Sequence, residues 1–182
     1  MQQATAIEPE PSNLRLLSRN SEQNRLTDRV TCLPSAASDT ETSVAFELSP
    51  ENFGDHRVRT LGDDRNADEL YGESNQQVIY TQADSVDNLL KRIPPNFQDD
   101  ITLVGVDVQG YEGYVFRRAQ ELLSRGIPVV SEIWPYGIRR AGLTQDKFIS
   151  IISTLWPSYW VLRRGKFVRY PIEVCQIPHR SL

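Results

Sequence analysis

The 182-residue chain is short of several residue types and patterns, and each shortage removes a class of protein. It has two cysteines, Cys32 and Cys175, far apart and outside any CxxC spacing, which argues against a disulfide framework and a structural zinc site. Both are expected as reduced, buried thiols. Its two histidines, His56 and His179, lack companions at ligand spacing, so no metal is expected. No run of about 18 apolar residues occurs. The start, MQQATAIEPEP, is neither a basic segment leading into an apolar run nor an amphipathic Arg-rich stretch. The expectation is a cytoplasmic protein with no membrane partner. An excess of either charge is missing too. Twenty Lys and Arg against 24 Asp and Glu leave a net charge of -4, with no global pull toward nucleic acid or anionic membrane. A small molecule or carbohydrate suits this balance better.

What is present fits one globular α/β domain over residues 1–182. Hydrophobic residues make up 39% and charged residues 24%, and the length is that of one ordinary domain. Ala4 to Ile7 reads as a strand ending in a Glu8-Pro9 turn, after which Ser12 offers an N-cap to a helix carrying Leu14 and Leu17. Val30 to Leu33 and Val44 to Leu48 read as strands, the second setting Val44, Phe46 and Leu48 on one face and Ala45 and Glu47 on the solvent face. Pro50 to Gln77 is polar and lacks periodicity, which predicts a loop over a site. Beyond the strand Val78 to Thr81, Asp84 or Ser85 caps a helix with Val86, Leu89, Leu90 and Ile93 on one stripe.

Ile101 to Val108 is nearly continuous in apolar residues, the pattern of a strand covered on both faces in a parallel sheet. A helix is predicted from about Glu112 to Arg125, with Tyr111, Val115, Ala119 and Leu122 inward and Gly126 as its stop. Val129 to Ile133 is the next buried strand. Thr144 caps a helix carrying Phe148, Ile151, Ile152 and Leu155, and Tyr159 to Leu162 with Phe167 to Tyr170 form a hairpin. Strands alternating with helices imply βαβ crossovers and an open sheet with the hairpin at its edge.

Ligands of such sheets bind beyond the carboxyl ends of the strands, which singles out Glu8, Ser35, Ala36, Asp107 to Glu112 and Glu132. A carboxylate closing a strand can accept both hydroxyls of a ribose, though acids at strand ends are also common because turns are solvated. For Asp107 the competing role is to cap the backbone N–H groups of Val108 to Gly110. Glu112 lies in the first turn of a helix, where the macrodipole favours a negative charge whatever its function. Glu132, among Val129, Val130, Ile133 and Trp134, must find a partner or titrate high, and Arg139 or Arg140 is the expected partner. His56 beside Asp55 is a candidate general base or a solvated loop residue.

Three motifs then occur in order: Glu-Pro-x-Pro in AIEPEPSNLRLLSRN, Asp-x-Gln-Gly-x-Glu in TLVGVDVQGYEGYVF, and Glu-x-Trp-Pro in VVSEIWPYGIRRAG. Together they resemble the FkbM family of S-adenosylmethionine-dependent methyltransferases. The resemblance implies a Rossmann-like sheet with helices on both faces and methyl transfer to a hydroxyl of a sugar, glycan or secondary metabolite. It implies S-adenosyl-L-methionine as cofactor, held by Glu8, Ser35, Ala36, Asp107 and Gln109. Asp107, His56 and Glu132 become the catalytic candidates, with Glu112, Trp134 and Arg139 toward the acceptor.

The family's first strand and its Asp-x-Gly-Ala-Asn-x-Gly loop have no counterpart, because the ribose ligand already stands at position 8. Gly105 also replaces a family lysine. The chain is therefore expected to be an N-terminally truncated member whose sheet is open at its centre, with edges free for self-association. A non-catalytic remnant or interaction domain of the same fold is the alternative. An NAD-dependent oxidoreductase is a third reading, disfavoured by Asp-x-Gln-Gly-x-Glu.

Overall fold

A computed structural model describes residues 3–60, 72 and 75–175. It begins with a parallel strand pair. Strand β1 (Ala4–Ile7) runs beside β2 (Val30–Leu33) in the register Ala4↔Val30 to Ile7↔Leu33, and helix α1 (Pro11–Gln23) makes the crossover. Pro11 presets the helical φ at a position whose N–H needs no partner, which makes the preceding residue the cap. The Glu10 carboxylate accepts the Asn13 N–H at 2.6 Å. The expected cap, Ser12, lies inside the helix, where its hydroxyl accepts from Arg15 at 2.7 Å.

The middle of the chain forms a four-stranded sheet, ordered β3 (Ala36–Ala37), β6 (Gln77–Asp84), β4 (Thr42–Leu48), β5 (Arg57–Val58). Strands β4 and β6 pair antiparallel from Thr42↔Ala83 to Leu48↔Gln77. Two-residue strands such as β3 and β5 carry too few positions to show a period, and sequence reading missed both. Alternation also misplaced one residue of β4, since Phe46 and Glu47 are both buried. Part of the loop predicted over the site, residues 61–71, 73 and 74, lies outside the described residues.

A second parallel pair follows. Ser85 caps α2 (Val86–Leu90) by accepting the Asn88 N–H, and α2 ends before Ile93, which is buried nonetheless. After α3 (Pro95–Asp99), strand β7 (Val104–Val106) pairs with β8 (Val129–Ser131) from Val104↔Val129 to Val106↔Ser131. The predicted helix between them breaks at Ala119 into α4 (Glu112–Arg118) and α5 (Gln120–Leu123), and Gly126 ends it at a φ of 74°. Helices α6 (Pro135–Arg140) and α7 (Gln145–Ser153) precede the hairpin β9 (Ser158–Arg163) and β10 (Lys166–Pro171).

The alternation of strands and helices is thus an α/β arrangement, but not one continuous ladder. The described strands form four separate sheets: the pairs β1-β2, β7-β8 and β9-β10, and the four-stranded sheet. One partner each leaves β1 and β7 with an unpaired edge, and the hairpin is hydrogen-bonded to no other described strand. Val130 on β8 is 65% exposed, so helices cover only one face of the second pair, where both were expected to be covered. Cys32 and Cys175 are free and half-buried rather than fully enclosed.

The core lies between α4, α5 and α7. Its predicted stripes meet there: Tyr111, Val115, Ala119 and Leu122 pack with Phe148 and Ile152. Phe148 is fully buried, and Gly113 on α4 leaves room for its ring, since a Cβ there would crowd Phe148 and Leu143. Phe148→Ala is expected to cost about 3–5 kcal/mol through lost burial and the remaining cavity. A urea unfolding midpoint unchanged from the parent would contradict this packing.

Candidate functional site

The turn from β7 into α4 is held by one buried acid. Glu112 is fully enclosed, and its Oε1 accepts the N–H groups of Val108 at 3.3 Å and Gly110 at 3.2 Å. The backbone-capping role considered for Asp107 therefore belongs to Glu112. Enclosure also corrects its assignment to the acceptor side, because no surface of Glu112 reaches a ligand. Burial pushes its carboxyl above the ordinary range, against the opposing pull of the backbone N–H groups.

Gln109 and Gly110 take consecutive left-handed conformations, with φ of 53° and 98°. Gly110 is required here. A Cβ on it would run into the backbone of Gly137 in α6, and one on Gly137 would meet Trp134 and approach the Gln109 carbonyl to 2.9 Å. The close crossing fixes the turn against the start of α6.

With the backbone so held, the Gln109 amide points between two strand ends. Its Nε2 donates to Asp107 Oδ1 at 2.7 Å and to Glu132 Oε2 at 3.4 Å. Glu132 thus finds its partner in Gln109, correcting the expectation of Arg139 or Arg140: Arg139 is exposed, and Arg140 turns to Glu47. Asp107 and Glu132 are both open to solvent beyond the carboxyl ends of neighbouring parallel strands.

Beside this bridge lies a shallow cleft lined by Arg57, Arg59, Gln109, Tyr111, Gly137 and Arg140, with Glu47 at its base. The buried Glu47 carboxylate receives three guanidinium groups: Arg57 at 3.2 Å, Arg59 at 2.6 Å and Arg140 at 3.0 Å. Asp55 stands 3.9 Å from Arg57. The Arg57 guanidinium also lies 5.2 Å over the half-buried Trp134 ring, which leans on Tyr136 at 5.3 Å. Sequence reading missed this cluster because strand alternation had placed Glu47 outward. The available signal was the Arg-Val-Arg of residues 57–59, which sets two cations on one face of a strand.

The remaining candidates have structural surroundings. His56 is buried edge-on to Phe46 and Phe53, and its Nδ1 accepts the Ser49 N–H at 3.0 Å. Burial lowers its pKa while the charges of Glu10 and Asp55 oppose this, so the ring is held neutral with its Nδ1 lone pair occupied. That removes it as the expected loop base. Ser35 and Ala36 are also buried, Ser35 Oγ donating to the Gln82 carbonyl at 3.1 Å and Ala36 pairing with Ala83. They close the sheet instead of lining a ligand face. Glu8 is half-buried at the end of β1. One oxygen accepts the Glu10 N–H at 2.8 Å, while the other has no hydrogen-bond partner among the described residues. Burial raises the Glu8 pKa; the Glu10 N–H lowers it and the Glu10 charge raises it again.

Among the described residues, no group of three or more metal-ligating side chains is placed to hold an ion, and no helix is long and apolar enough to cross a membrane. No protein-family profile, curated protein or solved structure matches the chain.

Two substitutions test this construction. Glu47→Gln leaves three guanidinium groups around a neutral amide and is expected to destabilise the fold by about 3–5 kcal/mol, read from the urea midpoint. The raised Glu112 pKa means that the folded state keeps its proton to higher pH than the unfolded state. Its contribution is complete below the unfolded pKa and is lost as pH rises through the folded one. Glu112→Gln retains an acceptor for both N–H groups and should flatten that loss in unfolding curves recorded from acid to neutral pH; an unaltered slope would disprove the assignment.

Proposed function

We propose that the chain provides the acceptor side of an S-adenosylmethionine-dependent O-methyltransferase site on a Rossmann-like framework, acting on a polyhydroxylated sugar, glycan or secondary metabolite. One observation carries the reading: Gln109, in a left-handed turn, bridges two exposed carboxylates beyond the ends of parallel strands, beside an arginine-lined cleft. Ligands of α/β sheets bind at such strand ends, and the residues are those of the Asp-x-Gln-Gly-x-Glu and Glu-x-Trp-Pro motifs.

The chain fits the cofactor at one end only. The second oxygen of Glu8 is available to a ribose diol, whereas Ser35 and Ala36 are buried and offer no face to an adenine. The first glycine of the sequence is Gly54, so no glycine turn stands ahead of Glu8.

S-adenosylmethionine would supply an electrophilic methyl group. For transfer to oxygen, the hydroxyl would lose its proton as the C–O bond forms and the sulfonium C–S bond breaks, and we assign that proton to the Asp107 carboxylate. Gln109 limits the rotamers of Asp107 and Glu132 by donating to both, which keeps an acceptor hydroxyl oriented while the reacting atoms align. Arg59 and Arg140, both bound to Glu47, border the adjoining cleft and fix its shape. Trp134 stacks under the Arg57 guanidinium and so helps to hold that side of the site.

Calorimetry with S-adenosylmethionine and transfer of a labelled methyl group to candidate glycosides test the proposal. Glu8→Gln should weaken cofactor binding roughly tenfold by removing a charge-assisted acceptor. Asp107→Asn should lower transfer by about two orders of magnitude or more at saturating cofactor. No detectable cofactor binding by the chain extended with the family's first strand and glycine loop defeats the reading.

The unpaired edges of β1 and β7 favour one other reading, an interaction domain that completes its sheet with another chain. It is distinguished by association without cofactor binding.

A further inference from the structure

One imidazole closes the connection between β4 and β5. The two strands pair over Phe46↔Val58 and Glu47↔Arg57, and the chain then leaves the ladder for residues 49–56. The buried ends of that connection, Ser49 and His56, meet directly: the Ser49 N–H donates to His56 Nδ1 at 3.0 Å. Between them Glu51, Asn52, Phe53 and Gly54 are exposed. Local bonds shape this stretch, from the Asn52 N–H to Ser49 Oγ at 3.3 Å, from the Gly54 N–H to Asn52 Oδ1 at 3.0 Å and from the Asp55 N–H to the Asn52 carbonyl at 3.0 Å. Its tip is fastened to α1, where Asn13 Nδ2 donates to the Phe53 carbonyl at 3.1 Å.

The closing acceptor is a lone pair that titrates. A backbone N–H can only donate, so Nδ1 is unprotonated and the proton of the neutral ring lies on Nε2. A second proton has only Nδ1 to go to. The imidazolium therefore cannot keep the bond, because two N–H groups would face each other and the buried Ser49 N–H would be left without an acceptor. An asparagine oxygen would close the connection at every pH; the imidazole closes it only while neutral. Burial holds the ring below the ordinary imidazole range, against the charges of Glu10 in the turn into α1 and of Asp55 within the connection, both of which favour the cation. Phe46 of β4 and Phe53, the rings that lie edge-on to it, carry no charge. Arg57, next in the chain, turns to Glu47 and lies over Trp134.

We propose that His56 is an acid-released latch: protonation at Nδ1 frees the Ser49 N–H, opens the 49–56 connection and loosens the strand that forms one wall of the cleft. That wall follows His56 without a break, since Arg57, Val58, Arg59 and Thr60 all line the cleft. Arg57 and Arg59 hold the Glu47 carboxylate, and Arg57 lies over the Trp134 ring, so a movement of β5 reaches both. The opening is local. The latch stands apart from the core between α4, α5 and α7, and the stretch it closes is exposed, the combination that lets a segment open without global unfolding. With the His56 pKa lowered in the folded state, the closed connection has its full stability above the ordinary imidazole pKa of about 6.5 and loses it as pH falls through the folded value. The latch works whatever the cleft binds, so it stands or falls separately from the methyltransferase reading.

The test is amide-resolved hydrogen exchange of the full chain by NMR between about pH 5 and 8, recorded together with the titration of its imidazole signals. Protection of the Ser49 amide should fall by up to roughly tenfold per pH unit below about 6.5, in step with the His56 imidazole, while protection of the Ile152 amide in α7 holds. The Trp134 indole signal should shift over the same range. These readings need only the parent chain. His56→Asn, whose Oδ1 accepts the Ser49 N–H and takes no proton in this range, should keep Ser49 protected and abolish the slope. His56→Phe retains a ring between Phe46 and Phe53 without the acceptor and should expose the Ser49 amide at every pH. Protection of Ser49 that is indifferent to pH in the parent chain overturns the proposal. So does a loss shared equally by Ile152, which would mark global unfolding, or a Trp134 signal that ignores the titration. A slope that persists in His56→Asn overturns it as well, since another group would then be titrating.

Discussion

The arrangement depends on one buried carboxylate. Glu47 lies in β4, and the guanidinium groups that converge on it come from β5, from the residue following β5, and from α6. Through Arg140 it ties the four-stranded sheet to the helix that begins at the Trp134-Pro135 turn. Isolating a charge from water costs more than most single contacts return, so such a cluster persists only when its geometry is satisfied from several sides. Loss of the carboxylate would therefore disturb the four-stranded sheet and α6 at once.

A second constraint works on the same helix. Gly110 and Gly137 let the backbones of the β7–α4 turn and of α6 approach as no pair of larger residues could. Glu112 ties the turn back on itself through two N–H groups. Between the ion cluster and the glycine crossing, the Gln109 side chain has little choice of direction, and its bridge between Asp107 and Glu132 follows. The exposed pair is thus supported by buried groups with no need to touch a ligand, the usual division of labour where a site sits on a rigid framework.

Much of the local structure was legible in the chain. The strand of Ala4–Ile7, the caps at Ser85 and Thr144, the stripe from Tyr111 to Leu122 and the stop at Gly126 follow from periodicity and from a few residues with one dominant conformational use. The errors have equally specific causes. Pro11 moved the α1 cap to Glu10, alternation sent Glu47 to the wrong face, and Ala119 divided a helix whose hydrophobic stripe is continuous. The site was legible by position and not by role. Strand-end acids could be named because turns follow strands, yet Asp107 and Glu112 differ only in which carboxylate reaches the turn's N–H groups.

The sequence by itself determined the alternation of strands and helices, the stripes that bury the core, and the strand ends at which polar residues collect, because these are set by neighbours a few positions apart. Tertiary structure alone decided that His56 is enclosed between two phenylalanines, that three arginines share Glu47, and that Gln109 joins Asp107 to Glu132. It also decided that the described strands form four sheets, not one. Those outcomes depend on pairings between distant segments, whose geometry and desolvation no local pattern encodes.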